Sequence, residues 1–141
     1  MTLTKILLAL FLLLLSLAAT CERDTRLNIE SGNPPEFIMS GSGALTILRM
    51  HGPKVREGQG ETAHIIWEVV PKDGAANAKG VEEIGTVIYG QIPAGYVQNY
   101  PEQGQAPTLV EGEEYDVWLI TDNANGVKRH FVVRDGKILV K

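Results

Sequence analysis

The chain of 141 residues has one cysteine, Cys21. No intramolecular disulfide can form, so its domain must be held by core packing, without the cross-links that many small extracellular domains use. A surplus of basic charge is missing too. Lys5 is the only charged residue among the first 20, so 12 basic side chains stand against 17 acidic ones beyond it, a balance of −5. That balance argues against nucleic acid as a partner, because phosphates call for Lys and Arg clusters. Beyond the N-terminal segment no stretch keeps a 3.6-residue apolar period and no internal repeat stands out, which argues against helical bundles and solenoids.

The signatures of catalysis and cofactor binding are also absent. His51, His64 and His130 fall on different segments, without the close spacing of a metal-binding helix or knuckle. Ser42 sits between Gly41 and Gly43 but lacks the longer elbow pattern of a nucleophile on a strand-to-helix turn. Gly58-Gln59-Gly60 opens no helix and so makes no phosphate loop. Glu111, Glu113, Glu114 and Asp116 cluster without the ligand spacing of a calcium loop, which leaves a solvated acidic corner. The expectation is a non-enzymatic protein with no cofactor and no metal site.

What is present begins at the N-terminus. Lys5 is followed by an apolar run over residues 6–17, broken only by Ser16. The small residues Ala18, Ala19 and Thr20 lead to Cys21, and Glu22-Arg23-Asp24-Thr25-Arg26 is abruptly charged. This is the three-part layout of a secretory signal over residues 1–20, and it is short of the roughly 20 apolar residues that a spanning helix needs. The small residues ending in cysteine resemble the lipobox of bacterial lipoproteins. That family prefers Leu three places before the cysteine and Gly, Ala or Ser immediately before it; here those places hold Ala18 and Thr20, with Leu17 one step early. The resemblance implies diacylglycerol (palmitate-type) attachment at Cys21 and an exported protein anchored by lipid to the inner or outer membrane of the cell envelope. Two alternatives stay open: a plain signal cut after Ala18, where Ser16-Leu17-Ala18 has the small-x-small form, and an uncut N-terminal anchor.

Residues 21–35 are polar and end in Gly32-Asn33-Pro34-Pro35, which reads as a tether, with Leu27 and Ile29 able to add a short strand. Residues 36–141 read as one all-β domain. Short strands are expected at 37–40, 44–50, 63–70, 86–92, 115–121, 128–134 and 137–140, with Asp135-Gly136 as a two-residue hairpin turn. Residues 54–61 and 93–108 read as loops. Pro and Gly recur at intervals that suit a β-sandwich. The run Leu109 to Tyr115 to Val117 resembles the tyrosine corner of immunoglobulin-like and fibronectin type III domains, and Trp67 stands where those domains often place a core Trp. The resemblance implies a sandwich of seven or eight strands in which Tyr115, Leu109 and Trp67 are structural.

The expected binding residues come from an apolar surplus. With Tyr115, Val117 and Leu119 facing inward, alternation puts Trp118 and Ile120 on the outer face, and the same count puts Ile66 and Val70 there. These four would form one exposed patch for a protein or another envelope component, unless the 93–108 segment or the last hairpin covers it. Tyr96 and Tyr100, with Trp118, carry the alternative of a carbohydrate-binding module. Loop tyrosines equally pin a loop by packing.

Overall fold

Period-2 burial organises the fold. In the first strand, β1 (Thr25–Glu30), Thr25, Leu27 and Ile29 are buried while Arg26, Asn28 and Glu30 face water. The computed structural model, which describes residues 3–7 and 23–141, continues with β2 (Glu36–Gly41), β3 (Ala44–Glu57), β4 (Gly60–Pro71), β5 (Thr86–Ile88), β6 (Tyr96–Tyr100), β7 (Glu114–Asp122), β8 (Val127–Arg134) and β9 (Lys137–Val140). Two antiparallel sheets result, one in the order β1-β2-β5 and the other β6-β4-β3-β7-β8-β9. Their inner faces share one core, in which Leu27, Phe37 and Met39 meet Leu48, Met50, Trp67, Val117 and Phe131. The chain is an all-β sandwich, as expected.

Residues 3–7 are helical. Cys21 and the remainder of the expected signal lie outside the described residues. Among the described residues no helix is long and apolar enough to cross a membrane.

Several elements differ from the sequence expectation. The sandwich begins at Thr25, not at residue 36: β1 pairs with β2 from Thr25–Gly41 to Glu30–Glu36, so residues 25–30 are part of the domain and not of a tether. The 54–61 segment is not a loop. There β3 and β4 continue as an exposed two-stranded arm, paired from Lys54–Ala63 to Glu57–Gly60. The 93–108 segment contains β6, which pairs with β4 as an edge strand. The count among the described residues is thus nine strands.

Tyr115 Oη accepts a hydrogen bond from Val110 N at 2.9 Å, five residues upstream, and its ring stacks on Phe131. Leu109 and Trp67 are buried in the same core. Trp67 Nε1 donates to Gln98 Oε1 at 3.2 Å, and Tyr89 meets its indole edge-on with centroids 5.2 Å apart. The last hairpin turns at Asp135 and Gly136, both at positive φ as a mirror-image turn requires, and the Glu111 carboxylate accepts from both of their amides.

Candidate binding face on the six-stranded sheet

Register and burial together define the outer face of the large sheet. In β7, Tyr115, Val117 and Leu119 are buried and Asp116, Trp118 and Ile120 are half-buried. Trp118 stands opposite Arg49 of β3 and Lys128 of β8, and Ile120 stands opposite Ile47 of β3. Val70, one step beyond the Leu48–Val69 pair, stands beside Val97 of β6. Val97, Val70, Ile47 and Ile120 therefore line up across four adjacent strands as an apolar row.

Next to it runs a charged row. Glu68 is only 5 % exposed although it belongs to the outer face. Its carboxylate accepts from Arg49 and from Asn99 Nδ2, the latter at 2.6 Å. Beyond Arg49 comes Trp118, whose ring carries Lys128 Nζ at 4.8 Å from its centroid and tilts against His51 at 4.8 Å. Trp118 Nε1 and His51 Nδ1 are buried and have no hydrogen-bond partner among the described residues. Burial, followed by the Arg49 charge, holds the His51 pKa below its ordinary value. The indole thus lies between Lys128 and His51.

A third row continues the pattern. His130 Nδ1 lies 2.8 Å from Asp116 Oδ1 and its Nε2 lies 3.3 Å from Glu114 Oε2; Lys128 reaches Asp116 at 3.7 Å, and Lys141 binds Glu114. The Lys141 hydrogen bond, then its charge, lowers the Glu114 pKa. His130 thus bridges two carboxylates, an arrangement that orders the side chains of β7 and β8. Among the described residues no group of three or more His, Cys, Asp and Glu side chains is arranged to hold a metal. Of the acidic corner, Glu111 caps the last turn and Glu114 and Asp116 belong to the ion pairs just described.

The residues singled out from sequence fall into three groups. Trp118, Ile120 and Val70 lie on the outer face, half-buried. Ile66 does not join them. A register shift between Met50 and His51 places Ile65 opposite His51, and Ile66 packs against the core instead. One extra residue in β4 inverts the alternation counted back from Trp67. Gly52 lies against this bulge, where a Cβ would come within 2.8 Å of Ile66 Cγ2. Ile47, which sequence reasoning passed over, occupies the centre of the apolar row. Tyr96 is not a surface residue: it is buried, its hydroxyl donating to Leu45 O at 2.6 Å and accepting from Lys79 N at 3.1 Å. Tyr100 is 47 % exposed at the end of the edge strand, so the three aromatics Tyr96, Tyr100 and Trp118 form no row.

A hollow of about 210 Å³ opens beside the face, bounded by Trp118, Ile120, Gly126 and Lys128. No family model, curated protein or solved structure matches the chain.

Proposed function

We propose that the chain is an exported lipoprotein, anchored to a membrane through Cys21, whose sandwich binds a protein partner without catalysis through the outer face of its six-stranded sheet. The observation that carries the binding assignment is the apolar row Val97, Val70, Ile47 and Ile120, set beside Trp118 and its hollow. A connected apolar strip bordered by paired charges is the composition of a contact surface, and a half-buried aromatic ring at its margin is a frequent anchor. The export and anchoring assignment rests on the apolar run 6–17, the small residues 18–20 and the chain's only cysteine following them. With β1 starting at Thr25, residues 22–24 would be the whole link between anchor and domain, reaching roughly 10 Å at full extension.

Two experiments test the two halves separately. The intact mass of membrane-extracted protein should match residues 21–141 plus acyl chains, and Cys21→Ser should move the protein to the soluble fraction. An unmodified mass starting near Ala19 would replace anchoring by free secretion. For the face, Ile47→Asp with Ile120→Asp should abolish cross-linking to envelope proteins while leaving the circular dichroism spectrum unchanged. Undiminished cross-linking by the folded double variant would remove this face from consideration.

A further inference from the structure

A second feature lies at one end of the sandwich, away from the sheet face. The turn between β1 and β2, the residues that follow β5 and the segment 105–109 border an open cleft of about 450 Å³. That is within the range of small-molecule sites, roughly 300–1,000 Å³. Its walls are tied together before any ligand arrives. Tyr89 N donates to Pro35 O at 3.0 Å, and Tyr89 Oη donates to Pro107 O at 2.7 Å. Tyr89 in turn rests edge-on against the buried Trp67, and Leu109 closes the base as a core residue. Preformed walls spare a ligand the cost of ordering them.

The polar groups of the cleft are uniform in kind. They are Asn33, Gln91, Gln105 and Thr108, and no charged side chain lines it, in a chain of which 21 % is charged. All four residues are solvent-exposed, and none of their side chains is committed to a hydrogen bond within the described residues, so each can turn to a ligand. Three amides and a hydroxyl offer both donors and acceptors beside the buried Tyr89 and the exposed rings of Pro34 and Pro107. An ionic ligand would find no counter-charge among them. An extended peptide pairs with backbone along a strand edge, and this cleft is built from turns. A ligand whose every polar group both donates and accepts fits best.

We propose that this cleft binds an uncharged sugar, one or two rings in size, through the side chains of Asn33, Gln91, Gln105 and Thr108. The inference goes beyond the protein-contact reading, because the cleft and the outer sheet face are separate surfaces. It also has a direction. β1 starts beside Asn125 and runs about 20 Å to the turn that carries Asn33. A domain anchored just ahead of Thr25 would therefore hold the cleft away from the bilayer.

The test is a titration of the full chain, held in a detergent without sugar groups, with maltose, cellobiose and N,N′-diacetylchitobiose, followed by backbone amide shifts. Saturable shifts confined to residues 33–35, 89–91 and 105–109 are expected with at least one of the three, at dissociation constants on the order of 1 mM or tighter. Gln91→Ala with Gln105→Ala should weaken binding roughly tenfold or more without lowering Tm, while Ile47→Asp with Ile120→Asp should leave it unchanged. The proposal is overturned if none of the sugars shifts these amides at about 20 mM, a concentration well above that limit. It is overturned equally if the shifts fall on the sheet face, if the double Gln variant binds as before, or if neutral peptides bind in the cleft and the sugars do not.

Discussion

Arg49→Met tests whether the charged row on the outer sheet face is a closed unit. Glu68 is 5 % exposed, and its carboxylate has two partners among the described residues, Arg49 and the Asn99 amide. Met preserves most of the Arg49 stem next to Trp118 and removes only the guanidinium. Breaking a fully buried ion pair costs about 3–5 kcal/mol, because the remaining charge is stranded. The Arg49 side chain is 24 % exposed, so water can reach part of the vacated space, and the expected loss is about 2–3 kcal/mol. Replacing both residues by Met removes the stranded charge and nearly conserves volume, so the double variant should lie within about 1 kcal/mol of wild type. Urea unfolding of the two single variants, the double variant and wild type gives the coupling energy from a double-mutant cycle, expected to be about 1.5 kcal/mol or more. A loss below about 0.5 kcal/mol for Arg49→Met, or a double variant as unstable as the sum of the singles, would mean that Glu68 is solvated and the row is an ordinary charged surface.

Other perturbations probe other parts of the fold. Tyr115→Phe removes the hydrogen bond from the half-exposed Val110 amide and should cost about 1 kcal/mol, lowering Tm by roughly 3–6 °C; an unchanged melting curve would show that this bond contributes nothing. His51 is held below its ordinary value of 6.5 mainly by burial and then by Arg49. The unfolded chain therefore binds the proton first, and this part of the stability is lost as pH falls from about 6.5 toward the lower folded-state value. His51→Gln should flatten that acid limb, and an unaltered slope would assign it to another group. Ile66→Asp should destabilise by about 2–4 kcal/mol because Ile66 packs on the core, whereas Ile65→Asp should cost less than about half as much; the reverse order would place the β4 bulge wrongly.

How far the fold was legible follows from where side chains are buried. Residues 115–121 read as a strand because they bury one face against the core and so alternate, whereas 128–134 is marked by the β-favouring run Phe131-Val132-Val133, all three buried. The Asp135-Gly136 turn was legible for a local reason, since both residues suit positive φ. β6 was not, because only Tyr96 of its five residues is buried and its place is secured by backbone pairing to β4. The arm from Lys54 to Ala63 buries no face, so composition marks it as loop while the ladder and the turn at Gly58 make it a hairpin. β1 lay between these cases. Leu27 and Ile29 supply two inward positions among polar neighbours, a pattern that a tether also allows.

The binding face shows why alternation identifies half of such a surface and misplaces the rest. In β7 the strand is regular, so counting from Tyr115 puts Trp118 and Ile120 outside, where they are. In β4 the same count fails at one bulge, and Ile66 moves inward while Ile65 takes its place. Ile47 is invisible to the count for a different reason. It gains its role only from the strands on either side, Val70 on β4 and Ile120 on β7, and that neighbour relation is fixed by sheet order and register. Glu68 makes the same point with opposite polarity. Alternation assigns it to the outer face, which for a carboxylate implies water, yet Arg49 from β3 and Asn99 from β6 close over it. A face is a property of several strands at once, so the residues that define it are legible one strand at a time only where each strand is regular.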